Sequence, residues 1–71
     1  METIKQSYCV ERNQIHYIRW TVESYDGMAT VSTIDPQEAI IEIKISPGCE
    51  EIIQSLLDSM AIQEGIKLKQ I

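Results

Sequence analysis

Along this 71-residue chain the spacing of apolar side chains switches between a period of two and a period of three to four, and the switches read strand, helix, strand, strand, helix, strand. Thr3 to Val10 alternates, with Ile4, Tyr8 and Val10 on one face and Lys5, Ser7 and Cys9 on the other. Gln6 interrupts the apolar face. From Glu11 the period lengthens, and Ile15, Ile18, Val22 and Tyr25 fall on one helical stripe. Asp26-Gly27 then stops the helix, because glycine adopts the left-handed conformation that helix ends favour.

Met28 to Ile34 and Ala39 to Ile45 are rich in Val, Ile and Thr, and Asp35-Pro36-Gln37-Glu38 between them has turn chemistry. The two runs are expected to pair as a hairpin. Ile41, Ile43 and Ile45 alternate with Glu42 and Lys44, so one face of that strand is expected to be buried. Ser46-Pro47-Gly48 reads as a helix start, with Ser46 as N-cap and Pro47 at the first position, where its missing N–H costs nothing. Cys49, Ile52, Ile53, Leu56, Leu57 and Met60 follow as an apolar stripe. After Gly65, Ile66 to Ile71 alternates as a short last strand.

This order leaves few compact solutions. The favoured one is an α+β ferredoxin-like split β-α-β sandwich. It has a four-stranded antiparallel sheet in the order 4-1-3-2 with both helices on one face. Residues 1–71 form one domain, with no linker, repeat or low-complexity run. A domain this short buries only roughly 60% of its unfolded surface, so small domains commonly add disulfides, a metal or an oligomeric partner. Cysteines and ligand-type residues are sparse, which leaves self-association as the expected supplement.

Composition and charge exclude several classes. At 44% hydrophobic and 24% charged the chain is globular, and its net charge of -5 disfavours non-specific binding to polyphosphates. No nucleic acid is expected as a partner. The first residues, Met1-Glu2-Thr3-Ile4-Lys5-Gln6-Ser7, show neither a basic region nor an apolar one of secretory type, so a cytoplasmic location is expected. No apolar run approaches the roughly 20 residues needed to span a bilayer, so no membrane partner is expected.

The chemical readings are weak. Cys49 is placed near a helix start, where the macrodipole favours a thiolate, but Glu50 and Glu51 oppose ionisation and the stripe directs its side chain at the core. A Cys9–Cys49 disulfide is disfavoured because the proposed topology puts the two residues at opposite ends of the sheet, beyond the ~7 Å reach of a bridge. His16 is the only histidine, and there is no Cys-x-x-Cys or His-x-x-x-His, so no metal site or cofactor is expected. A Cys9–His16 nucleophile and base pair lacks an orienting third group. The spread of Glu23, Asp26, Asp35, Glu38, Glu50 and Glu51 is more simply a solvated acidic surface. The chain is expected not to be an enzyme.

Two surfaces remain. On a wheel of about 100° per residue, Trp20 lies opposite the core stripe of the first helix, with Asn13, His16, Tyr17 and Ser24 around it. An outward Trp with Tyr and His beside it has the chemistry of a protein contact patch. The simpler reading makes Trp20 an extended edge of the core. The other surface is the open face of the sheet, where Lys5, Lys44, Lys67 and Lys69 gather beside Glu42. That face lacks the stacking aromatics an RNA-binding sheet needs and fits solvation or a polar sheet-to-sheet dimer.

From Ile15 to Leu57 the helix closing in Tyr25-Asp26-Gly27, the Asp35-Pro36 turn with Glu38, the Ile-rich strand and the Pro47-Gly48 start of an acidic amphipathic helix follow one another. This block resembles domain-of-unknown-function family forty-nine eleven, a family of short bacterial proteins. The resemblance implies no catalytic residues. The element order is also similar to that of ACT-type regulatory modules, which bind small effectors at dimer interfaces. Those modules carry a Gly in the first strand-helix loop, and Val10-Glu11-Arg12-Asn13 has none. The expectation is a small non-enzymatic module that forms a homodimer or docks on a partner protein. Small-molecule effector sensing is the alternative.

Overall fold

The computed structural model describes residues 3–71, and within them the isoleucine alternation from Ile41 to Ile45 lies in an inner strand of a four-stranded antiparallel sheet. Met1 and Glu2, the start of the segment read for a secretory signal, lie outside the described residues. The elements are β1 (Ile4–Val10), a 3-10 turn (Arg12–Gln14), α1 (Ile15–Glu23), β2 (Ala29–Asp35), β3 (Ile40–Ile45), α2 (Glu50–Gln63) and β4 (Leu68–Gln70). The strand order is β2-β3-β1-β4, the expected 4-1-3-2 read from the other edge.

β1 is antiparallel to β3, with Ile4 opposite Ile45 and Cys9 opposite Ile40, while β4 closes the other side with Leu68 opposite Val10. On the inner face Tyr8, Val10, Val31, Ile41, Ile43 and Ile45 are buried. α1 supplies Ile18 and Val22 to the same core, and α2 supplies Ile53, Leu57 and Met60. Each fully buried aliphatic side chain contributes about 1.5–3 kcal/mol, against about 0–1 kcal/mol for an exposed ion pair. The core therefore decides the fold. Gln6 does not spoil it: half-buried, it accepts a 2.6 Å hydrogen bond from the Tyr8 hydroxyl.

Several boundaries differ from the periodic reading. α1 ends at Glu23, so Tyr25 leaves the stripe and is 37% exposed, while Met28 packs on the core instead. Gly27, at φ 71°, makes the turn, and the Met28 N–H donates to the Tyr25 carbonyl at 3.1 Å. Ser46 is not a helix cap. Its hydroxyl donates to the Gly27 carbonyl at 2.7 Å, and Gly48, at φ 86°, turns the chain once more before α2 begins. Cys49 takes the N-cap position without a side-chain capping bond, and Glu50 and Glu51 face the positive end of the helix dipole. Within α2, Ile52 departs from the apolar stripe and is 45% exposed.

The hairpin forms as the turn residues imply. Asp35 Oδ1 accepts from the backbone N–H groups of Gln37 at 3.0 Å and Glu38 at 3.2 Å, and the β2–β3 register shifts between Thr33 and Asp35. The hairpin tip is fastened to the end of β1, because the Val10 N–H donates to the Ala39 carbonyl and Arg12 donates to the Gln37 carbonyl. β4 is shorter than the alternation suggests. Ile66 turns into the core ahead of it, and the Ile71 N–H still donates to the Ser7 carbonyl.

At the free edge of β2 a side chain replaces a strand. Glu23, in the last turn of α1, accepts the Val31 N–H through Oε2 at 3.1 Å, and its Oε1 lies 3.5 Å from Arg19 Nε. A carboxylate thus occupies a position where an incoming strand would bond, which is one way edge strands are blunted.

Candidate functional site

α1 buries Ile18 and Val22, and the 100° step between residues then sends Trp20 to the opposite side. Trp20 is 72% exposed, and Asn13, His16 and Ser24 around it are exposed as well. His16, Trp20 and the C-cap residue Ser24 follow one another at steps of four residues along α1, and Asn13 precedes them in the 3-10 turn. Their freedom differs. The Ser24 hydroxyl donates to the Thr21 carbonyl at 2.6 Å, so it is held against its own helix. Tyr17 donates its hydroxyl to the carboxylate of Glu64 just past the end of α2, which makes it a strut between the helices. That hydrogen bond to Glu64, with some burial, holds the Tyr17 phenol above its ordinary pKa.

The same helical layer carries an open, largely apolar groove that periodicity does not signal. Tyr25, after α1, faces Ile52, Ser55, Leu56 and Ser59 of α2 across an open groove of about 460 Å³, with Glu51 as its one charged lining residue. The spacing of Tyr25 and Ile52 continues the apolar stripes and predicts core positions for both. At helix ends that inference weakens: α1 has already stopped before Tyr25, and Ile52 sits on the flank of α2 in its first turn. Leu56, half-buried, forms the floor shared with the core.

The open face of the sheet is organised by register. Lys5 stands directly opposite Lys44, and Lys44 opposite Thr30. One step along, Glu42 lies between Ser7 and Ser32, and beyond it Cys9 lies between Ile40 and Lys69. Like charges directly opposite are unfavourable by a few tenths of a kcal/mol or more, tolerable only because both ammonium groups are solvated. Lys67 is exposed but precedes β4, so it does not join the sheet. Ile34 and Ile71 are also exposed. No aromatic side chain is placed on this face by the strand alternation, so bases would find nothing to stack on.

The chemical candidates are separated. Both cysteines are free thiols. Cys9 lies on the open sheet face with Sγ 3.5 Å from the Glu38 carbonyl, whereas His16 lies on the outer face of the helical layer. The sandwich stands between them, so the strand-helix junction does not bring them together as nucleophile and base. Cys49 packs against the core, as the stripe implies. Among the described residues no group of three or more His, Cys, Asp or Glu side chains could hold a metal ion. Among them also, no helix is long and apolar enough to cross a membrane.

A family model described as "Domain of unknown function (DUF4911)" matches residues 8–63, from the middle of β1 to the end of α2. No curated protein and no solved structure matches the chain.

Proposed function

The chain belongs to the domain-of-unknown-function family DUF4911, and from that premise we propose that it is a non-enzymatic protein-interaction module of ferredoxin-like architecture. Its contact surface is the outer face of α1, and its place of action is the cytoplasm. The observation that carries this reading is the 72% exposure of Trp20 at the centre of that face. An indole left in water offers one of the largest apolar areas any side chain can bury on association, with only two torsions to freeze. His16 and Asn13 supply polar groups at the rim. Binding of small effectors in the ACT manner is the weaker reading, because the β1–α1 connection carries Glu11 and a 3-10 turn where those modules carry glycine.

Photo-crosslinking in the native cell tests the proposal. A photoreactive residue placed at His16 or Ser24 is expected to give covalent adducts with protein. The same residue at Lys5 or Thr30, on the opposite side of the sandwich, is expected to give few. Equal labelling from both sides, or none from α1, counts against the assignment. A thermal-shift screen of metabolites covers the effector reading, since a ligand that binds only the native state raises the melting temperature.

A further inference from the structure

Where β2 begins, the edge of the sheet and the end of α1 border an open recess of about 390 Å³, near the lower end of the size range of small-molecule sites. Thr3 lines it, so it lies at the other end of β1 from the β1–α1 connection. Its charged lining residues have opposite signs, Glu23 from α1 and Lys44 from β3. Among the described residues the one ion pair is Arg19 with Glu23, so the Lys44 ammonium is not spent on the carboxylate across the recess.

The acidic end is held in place. Glu23 Oε2 accepts the Val31 N–H at 3.1 Å, and the 3.5 Å contact with the exposed Arg19 Nε screens the charge only in part. A carboxylate has about four lone-pair positions, which leaves room for a further donor. The main chain adds to this end. Backbone groups along an antiparallel strand alternate between its two sides, and the Val31 N–H faces the free edge. The N–H and C=O of Ala29, two residues earlier and lining the recess, therefore face that edge as well.

At the basic end Lys44 stands in the ladder between Lys5 and Thr30. Two ammonium groups directly opposite each other raise the local positive potential, and the Thr3 and Thr30 hydroxyls are beside them. Ser46 braces the wall instead, because its hydroxyl donates to the Gly27 carbonyl at 2.7 Å. This distribution selects an occupant by charge. A simple anion on Lys44 meets Glu23, and a simple cation on Glu23 meets Lys44 with Lys5 behind it. A molecule that carries a carboxylate and an ammonium group satisfies both ends at once.

We propose that the recess binds a small amino-carboxylate zwitterion, with its carboxylate on Lys44 and Thr30 and its ammonium on Glu23 and the Ala29 carbonyl. This goes beyond the contact face on α1 and stands or falls separately from it. Water reaches the recess and weakens each charged bond, so the affinity is modest.

Amide NMR titrations at fixed ionic strength provide the test, read at Gly27, Ala29, Thr30 and Lys44. The probes are the standard amino acids, β-alanine and 4-aminobutyrate, with acetate and methylammonium as the single-charge halves. At least one zwitterion is expected to give saturable shifts at these amides below about 10 mM, and each half to bind at least roughly tenfold more weakly. Lys44→Met, and Glu23→Gln, which keeps an acceptor for the Val31 N–H, are each expected to weaken zwitterion binding at least roughly tenfold while their spectra remain those of a folded chain. Binding that survives either substitution overturns the role of that charge and with it the zwitterion. Acetate or methylammonium binding as tightly as the best zwitterion makes this a single-charge site and also overturns the proposal. So does a folded wild type in which no zwitterion gives a saturable shift by about 10 mM.

Discussion

Replacing Glu23 by alanine removes the carboxylate that accepts the Val31 N–H at the free edge of β2. A hydrogen bond to a charged acceptor contributes about 1.5–3 kcal/mol when buried. Here the Glu23 side chain is 35% exposed, so water partly replaces it after truncation and the cost falls to about 1–1.5 kcal/mol. The Arg19 contact at 3.5 Å joins two exposed groups and adds only about 0.3–0.5 kcal/mol. Glu23→Ala is therefore expected to lower the urea midpoint with an unchanged slope, equivalent to a melting shift of about 5–15 °C in a domain this small. Glu23→Gln keeps an acceptor oxygen and is expected to recover about half, while Arg19→Ala stays within about 0.5 kcal/mol of wild type. Hydrogen exchange gives the local readout, with protection lost first at the Val31 amide. If Arg19→Ala costs as much as Glu23→Ala, or if the Val31 amide keeps its protection in Glu23→Ala, the edge-capping argument fails.

Two further outcomes follow from single residues. Burial, reinforced by the charge of Asp58, raises the Tyr8 pKa above its ordinary 10.0, so the unfolded chain loses that proton first as pH rises. The stabilising contribution is complete below pH 10 and is lost as pH climbs through the folded value; alkaline denaturation of wild type and Tyr8→Phe should show it, with a flatter pH dependence in the variant. Gly48→Ala places a Cβ in open space at φ +86°, so its expected cost of about 1–2 kcal/mol in a urea melt comes from backbone conformation alone, and a neutral result would contradict that conformation.

The sheet was legible because Ile41, Ile43 and Ile45 alternate without interruption and Asp35-Pro36 allows few connections. The outward direction of Trp20 was legible for the same reason, since Ile18 and Val22 on either side of it leave one rotation of α1 that buries both. Periodicity failed where a helix stops. Tyr25 and Ile52 lie in phase with their stripes, yet one follows the last turn of α1 and the other occupies the first turn of α2, where no partner layer covers them. Ser46-Pro47 has the composition of a helix start, but Gly48 takes a positive φ that a helix cannot supply, so α2 starts only after Cys49. Gln6 and Glu23 could not be understood from neighbours in sequence at all: their acceptor roles depend on Tyr8 and Val31 arriving by tertiary folding.

The central pairing of β1 with β3 has a consequence in time. It joins Ile4 to Ile45 and Cys9 to Ile40, so β1 has no ladder partner until β3, some thirty residues later, has been made. Closing so long a loop precedes any gain from the ladder, which slows folding relative to a hairpin-first arrangement of the same size. On the ribosome the β2–β3 hairpin and the helices can begin locally, but β1 waits as an unpaired strand with Ile4, Tyr8 and Val10 uncovered. Folding is thus a late and nearly all-at-once event, and the interval before it is when the chain is most open to capture by chaperones or by other copies of itself.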